Sequence, residues 1–425
     1  MSKPITALAL LLLTVVLGAS AATVEGVLYG IPDPTIIQDD DGRFYTFSTG
    51  AGLPINRSDD LVNWKRIDRV FDKSVPDWAK EAISRPEGIW APDIVKLNDK
   101  YYVYYSVSSF GSQRSVTGVA VNNSLDPASP DYKWTDLGLV VESFPNRDDF
   151  NAIDMAVFQD KDGRAHAVWG SHWGGIKYAR VNPDTGKFIE TLDRYPTVAA
   201  RHTGPRAIEA PFIIRRGDDY YLFVSFDSCC NGAESTYKIM VGRSQRPEGP
   251  YLDFNGTPMT DGGGTLVLAN NDNWRGTGHN SVILSTKGEF IVHHTYDTCN
   301  LDKHRILQIR PMYWTEDGWP LAGQPINEKN PPRSAPGRFT AEQLIGSWRI
   351  SSDYGQERIV DLIGGGRIAN QRRASWSVTE NRITLNWPDD DNTPWIDRCI
   401  VEPSGTSFIG RNQNGAVIRG VRICP

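Results

Sequence analysis

Five times along its 425 residues the chain repeats one local pattern. A polar residue leads a short apolar segment, a turn rich in Asp, Gly, Asn or Lys follows, and a second apolar segment closes the unit. The five copies are "PDPTIIQDDDGRFYTFST" from Pro32, "APDIVKLNDKYYVYYSVS" from Ala91, "AIDMAVFQDKDGRAHAVWGS" from Ala152, "IEAPFIIRRGDDYYLFVSF" from Ile208 and "GHNSVILSTKGEFIVHHTYD" from Gly278. Short apolar runs on either side of Asp-Gly-like turns are β-hairpin signals. The lead residues Asp33, Asp93, Asp154, Glu209 and His279 stand roughly 55 to 70 residues apart, enough for four strands and their loops. All-β repeats of that size, without helical periodicity between them, predict a five-bladed β-propeller; two packed sandwiches are the alternative. In a propeller the innermost strand of every blade lines one central channel. Five lead residues, four of them acids, would then meet in a single cavity.

The flanking segments are of different character. "MSKPITALALLLLTVVLGASAA" places one Lys before an apolar run that ends in small residues, the pattern of a cleaved secretory signal over residues 1–22. The run is shorter than the ~20 residues a spanning helix needs. Secretion is therefore expected, with the propeller over 23–323. Residues 324–338, "QPINEKNPPRSAPGR", have a linker's composition. Residues 339–425 alternate apolar positions with Gly- and Asn-containing turns, which predicts a small antiparallel β-barrel or sandwich. An oxidising compartment permits disulfides, and Cys399 and Cys424 are expected to pair. Cys229, Cys230 and Cys299 admit more than one arrangement. A net charge of −6 argues against nucleic acid or an anionic membrane as a partner.

Crowded carboxylates cannot all ionise cheaply, so their pKa values separate. Glycoside hydrolysis uses such a separation: one acid protonates the leaving oxygen while another, ionised, activates water or attacks carbon. Carboxyl groups about 5–5.5 Å apart suit a nucleophile, and ~6.5–9.5 Å leaves room for a water. Acids on different blades across a channel favour the wider gap and hence inversion. Among the acids, Glu209 is flanked by Ile208, Ala210, Pro211 and Phe212, an apolar neighbourhood that favours the neutral form. Asp33 lies between Pro32 and Pro34, which stiffen its backbone.

Several longer strings make the chain similar to glycoside hydrolase family 43, and within it to the endo-1,5-α-L-arabinanases. They are "DPTII" at Asp33, "WAPDIVK" at Trp90, "NAID" at Asn151, "WGSHWGGI" at Trp169, "IEAPFI" at Ile208, "CCNGAESTYKIMVGRS" from Cys229 and "GTGHNSVI" at Gly276. The resemblance implies arabinan as substrate, Asp33 as general base, Glu209 as general acid and Asp154 as the residue that holds the Glu209 proton in place. It also implies that Trp90, Phe110, Gly111, Asn151, Ser171, His172 and Trp173 hold the sugar at the rim. It assigns Asp93 no proton-transfer step, and it implies a calcium or similar ion near His279, held mainly by water. The last segment resembles a lipocalin-like β-domain. His293 and His294 alternate across a strand, so one should face the channel and the other should pack. Pro32 stands where the family often has His, and Met155 where it commonly has Pro. An exo-acting arabinofuranosidase, a β-xylosidase and a sugar-binding propeller without activity are the competing functions; a monomer is expected.

Overall fold

In the computed structural model, which describes residues 28–299, 305–333, 337–388 and 394–423, each repeat opens an antiparallel blade of four or five strands. Blade one comprises Thr35–Gln38, Phe44–Phe47, Pro54–Ser58 and Lys65–Arg69, and blade two Trp90–Leu97, Lys100–Val107, Ser115–Asn122 and Thr135–Ser143. Blade three is built on Ala156–Gln159, Ala165–Trp169 and Ile176–Asn182, and blade four on Ile208–Arg216, Asp219–Phe226, Lys238–Ser244 and Thr265–Leu268. Blade five contributes Trp274–Ser285, Gly288–Asp297 and Ile306–Trp314. Its next strand comes from the other end of the chain, Leu28–Tyr29, with Leu28 opposite Leu307 and Tyr29 opposite Ile306.

Each innermost strand packs against the innermost strand of the next blade, and the fifth meets the first, so the ring is closed. Apolar clusters fill the five gaps between blades. Phe47, Val103 and Tyr105 lie between blades one and two, for example, and Tyr104, Met155 and Trp169 between two and three. Local chemistry sets the hairpins. Asn98 and Asp99 both take positive φ (45° and 62°) in the two-residue turn between Leu97 and Lys100, the geometry that matches the twist of paired strands.

The same irregularity stands at the head of every innermost strand. In blade four Glu209 pairs with Ser225 but Phe212 with Phe223, so one extra residue bulges out. Blade two bulges between Trp90 and Asp93, and blade five between Gly278 and Ser281. In blades one and three, backbone bonds from Thr49 N to Pro32 O and from Gly170 N to Ile153 O give the same spacing. The bulged residue is left-handed each time: Asp33 (φ 51°), Ala91 (42°), Asp154 (58°), Ala210 (51°) and His279 (51°). Such a conformation is strained for residues with a side chain and persists only where the surroundings enforce it. This corrects the equivalence of the five lead residues. Asp33, Asp154 and His279 do correspond, but Ala91 and Ala210 hold that place in blades two and four. Glu209 stands one residue before it and Asp93 two residues after.

Gly346–Ser352 through Val417–Arg422 form a closed eight-stranded antiparallel barrel around Trp348, Leu362, Leu385, Val401 and Phe408. It is docked on blades four and five. Ile400, Ile409 and Val417 share an apolar cluster with Val267, Trp319 and Leu321 of the propeller. Tyr354 OH donates to Val267 O at 3.1 Å, and Arg411 donates to Leu266 O at 2.7 Å and Pro320 O at 3.0 Å. Cys229 and Cys230 are bonded to each other, and Cys299 is exposed and free. Cys399 lies in the barrel core with no disulfide partner among the described residues; its expected partner Cys424, like the expected signal over 1–22, lies outside them.

Candidate active site

Asp33, Asp154 and Glu209 come from the heads of blades one, three and four and meet at the top of the channel. Asp33 Oδ2 accepts a hydrogen bond from the Thr49 hydroxyl at 2.5 Å, and Thr49 Oγ1 in turn accepts from the Ala91 N–H at 2.8 Å. The other oxygen, Oδ1, lies 3.3 Å from Nδ1 of both His279 and His294. Burial alone would push the Asp33 carboxyl up, but His279, His294 and Arg305 outweigh it and hold the carboxyl well below the usual carboxylate range. Asp33 therefore stays ionised. His294 also meets the backbone of Asp33. Its Nδ1 accepts the Asp33 N–H at 3.1 Å, and burial pulls its pKa down to about 4.

Asp154 meets the opposite conditions. Burial first, then the charges of Glu209 and Asp33, push it well above the usual carboxylate range. Its Oδ2 accepts the Ala210 N–H at 3.1 Å, and its own N–H donates to Ser106 Oγ at 3.1 Å. The bulge that makes Ala210 left-handed thus ties the residue after Glu209 to Asp154. Glu209 itself is gripped by two hydroxyls, Ser171 on Oε2 and Tyr237 on Oε1, each at 2.7 Å, with His172 Nε2 at 3.8 Å. Its strand neighbours do not supply its environment as their apolar character suggests, because Ile208 turns into the core cluster between blades three and four. Burial, with Glu209 and Asp154 nearby, pushes the Tyr237 phenol far up, so it remains a donor.

Tyr237, His294 and His279 stack in series, with ring centroids 6.0 Å apart at 21° and 6.3 Å apart at 28°. The stack runs from the partner of Glu209 to the partners of Asp33. Gly278 makes room for it: a Cβ there would lie 2.1 Å from Tyr237 Cδ1. His293, on the other side of the strand, is buried beside Arg310, whose Nε donates to it at 3.2 Å. The expected alternation holds, with His294 on the channel side and His293 packed, but nothing in the sequence singles out Tyr237, Thr49 or Ser106. Tyr237 lies within the motif from Cys229, and the Cys229–Cys230 bond sits in the loop that leads to it.

The expected rim residues divide. Phe110 is 74% exposed and Trp173 42%, with His172 edge-on to Trp173; Gly111 takes φ 75° with open space beside it. Trp90 heads blade two at the place Pro32 holds in blade one. Two others are turned inward. Asn151 is buried and its Oδ1 accepts from Ser115 at 2.6 Å, while Ser171 is buried with its hydroxyl on Glu209. Asp93 lies a tier below the acids. It accepts from Thr35 Oγ1 at 3.0 Å and Val157 N at 2.8 Å, joining blades one, two and three, and burial pushes it up to about 7. The channel at that level narrows to a cavity of about 20 Å³, room for one water. Substrate must therefore approach from above.

Among the described residues no cluster of three His, Cys, Asp or Glu side chains could hold a metal ion. Calcium prefers oxygen ligands, and His279 offers one ring whose Nδ1 already faces Asp33. This donor set fits an ion that keeps its water shell, not one coordinated directly by the protein.

The family model of glycosyl hydrolases family 43 matches residues 27–320. The chain belongs to this family. It is a glycoside hydrolase, and the three converging carboxylates are the chemistry such an enzyme requires. The chain is 42% identical over 327 residues to an extracellular exo-α-(1→5)-L-arabinofuranosidase of Cellvibrio japonicus, covering 74% of this chain and 91% of that one. It is 37% identical over 310 residues to an extracellular endo-α-(1→5)-L-arabinanase of Bacillus subtilis, covering 71% and 92%. The solved α-L-arabinanase of Cellvibrio cellulosa with arabinohexaose superposes with a TM-score of 0.66 at 40% identity, over 69% of this chain and 95% of that one. An endo-1,5-α-L-arabinanase from Thermotoga petrophila matches at TM-score 0.78 over 94% of this chain and 100% of its own. Its 24% identity makes it a likeness of fold alone.

Proposed function

We propose that this glycoside hydrolase is a secreted, inverting enzyme that cuts internal α-1,5 linkages of arabinan. The observation that carries the reading is the meeting of acids from three blades: Asp33 beside His279 and His294, Asp154 on the Ala210 N–H, and Glu209 between two hydroxyls. Asp33 takes a proton from a water as the water oxygen attacks the anomeric carbon. Glu209 gives its proton to the glycosidic oxygen as that carbon–oxygen bond breaks. Asp154, tied to the Ala210 N–H, fixes where Glu209 stands. Phe110, Trp173 and Trp90 offer apolar faces to furanose rings.

Relatives whose printed names describe extracellular enzymes acting on α-1,5-arabinans support the substrate and secretion. Among the described residues no helix is long and apolar enough to cross a membrane. A second reading is exo action, favoured by the 42% identity to an exo-acting relative. Linear arabinan decides between them. A ladder of oligomers is the endo outcome, and one short product from the start overturns it. An NMR time course showing retained anomeric configuration would overturn inversion. A monomer and a hydrated calcium near His279 complete the proposal, and no chemical step passes through the ion.

A further inference from the structure

A second cleft, of about 680 Å³, opens between blades three and four. It is lined by the Asp160 turn, at the end of Ala156–Gln159 away from Asp154, and by Arg246–Glu248, just beyond Lys238–Ser244. It therefore lies on the face opposite the acids, and its size is that of ligand-binding clefts. Its wall is rigid. His166 is buried with Nε2 3.1 Å from Asp160 and Nδ1 2.6 Å from Tyr178 OH, and its ring stacks between Phe158 and Tyr178.

The rim carries Lys161, Arg164, Arg180 and Arg246 against Asp160, Asp162, Glu190 and Glu248, so its formal charge is zero. The cations are paired with neighbouring carboxylates: Arg180 with Glu190 at 2.7 Å, Arg164 and Lys161 with Asp162 at 3.0 and 2.8 Å, and Arg246 with Glu248. Exposed pairs of this kind contribute little stability. They do present dense hydrogen-bond donors and acceptors without net charge. Between them Leu192, 38% exposed, and Pro196 and Pro247 supply apolar surface.

A charged ligand has nothing to select it here, and a purely apolar one would leave the rim pairs desolvated. From these features we infer that the cleft binds a neutral polyhydroxylated chain, a second stretch of the polysaccharide the enzyme degrades. Hydroxyls meet the guanidinium and carboxylate edges, and sugar C–H faces lie on Leu192 and the prolines. This rests on arabinan being the substrate. Because the cleft lies below the ring, it anchors a strand other than the one being cut and raises the effective substrate concentration.

The test uses full-length Glu209→Gln, expected not to turn over, in native gels containing soluble linear arabinan. Glu209→Gln/Leu192→Asp and Glu209→Gln/Arg180→Ala are expected to be retarded roughly tenfold less. With Glu209 intact, Leu192→Asp should match the parent on short arabino-oligosaccharides and fall several-fold on the polymer. Equal retardation, or a parallel fall on oligosaccharides, overturns the inference. If the parent enzyme cuts no arabinan, the substrate reading fails instead, and gels run with other neutral polysaccharides decide the cleft separately.

Discussion

The backbone N–H of Ala210 donates to Asp154 Oδ2 at 3.1 Å, so the residue after Glu209 is anchored by the acid of a neighbouring blade. Asp154 thus fixes position as well as charge, and the two contributions separate by mutation. Asp154→Asn keeps an acceptor for Ala210; Asp154→Ala does not. Both are expected to lower kcat by about 10²–10⁴-fold, with Asp154→Ala also lowering Tm. Equal melting temperatures for the two variants would show that the anchor is immaterial.

Tyr237→Phe removes one of the two hydroxyls on Glu209 and leaves the ring stack intact. A hydrogen bond between neutral partners contributes about 0.5–1.5 kcal/mol, so kcat/KM should fall roughly two- to tenfold with little change in Tm. Steady-state kinetics on arabinan check this. Unchanged kinetics would mean that Ser171 alone holds Glu209.

Stability should respond to pH through Asp33 and Asp154 in opposite senses. The Asp33 carboxyl is held down in the folded protein, so its contribution is present above the unfolded value of about 3.9 and is lost as pH falls toward the folded one. Asp154 is held up, so its contribution is full below about 3.9 and is lost as pH rises through its folded value. In Tm–pH curves Asp33→Asn should flatten the acid side, and Asp154→Asn should weaken the decline on the neutral side. Superimposable curves would contradict both.

Chelator treatment is expected to lower Tm and activity together, with calcium restoring both, and His279→Ala should abolish that response. An unchanged melting temperature after EDTA would remove the ion from the reading.

The repeats were legible because hairpins are local: turn residues and apolar runs lie within twenty positions of each other. Their alignment was harder. A single bulged residue heads each innermost strand, and its left-handed backbone is invisible in a sequence where Ala91 and Ala210 take it as Asp33 does. The acids nearest those positions, Asp93 and Glu209, therefore passed for equivalents. Residues that act on the acids from afar left little pattern: the alternation of His293 and His294 put one ring on the channel side without naming its partner. His294 reaches Asp33 across 261 positions, and Tyr237 reaches Glu209 across 28. Nor could spacing decide among Cys229, Cys230 and Cys299, since adjacency alone neither requires nor forbids a bond.

The splice of Leu28–Tyr29 onto Ile306–Trp314 gives the catalytic ring a seam. It adds to the ties that already join the first and last blades, whose innermost strands pack directly and carry Asp33 and His279. A change in those two short stretches of backbone, at the periphery, therefore bears on how firmly the base is held against its imidazoles without touching a single reacting atom.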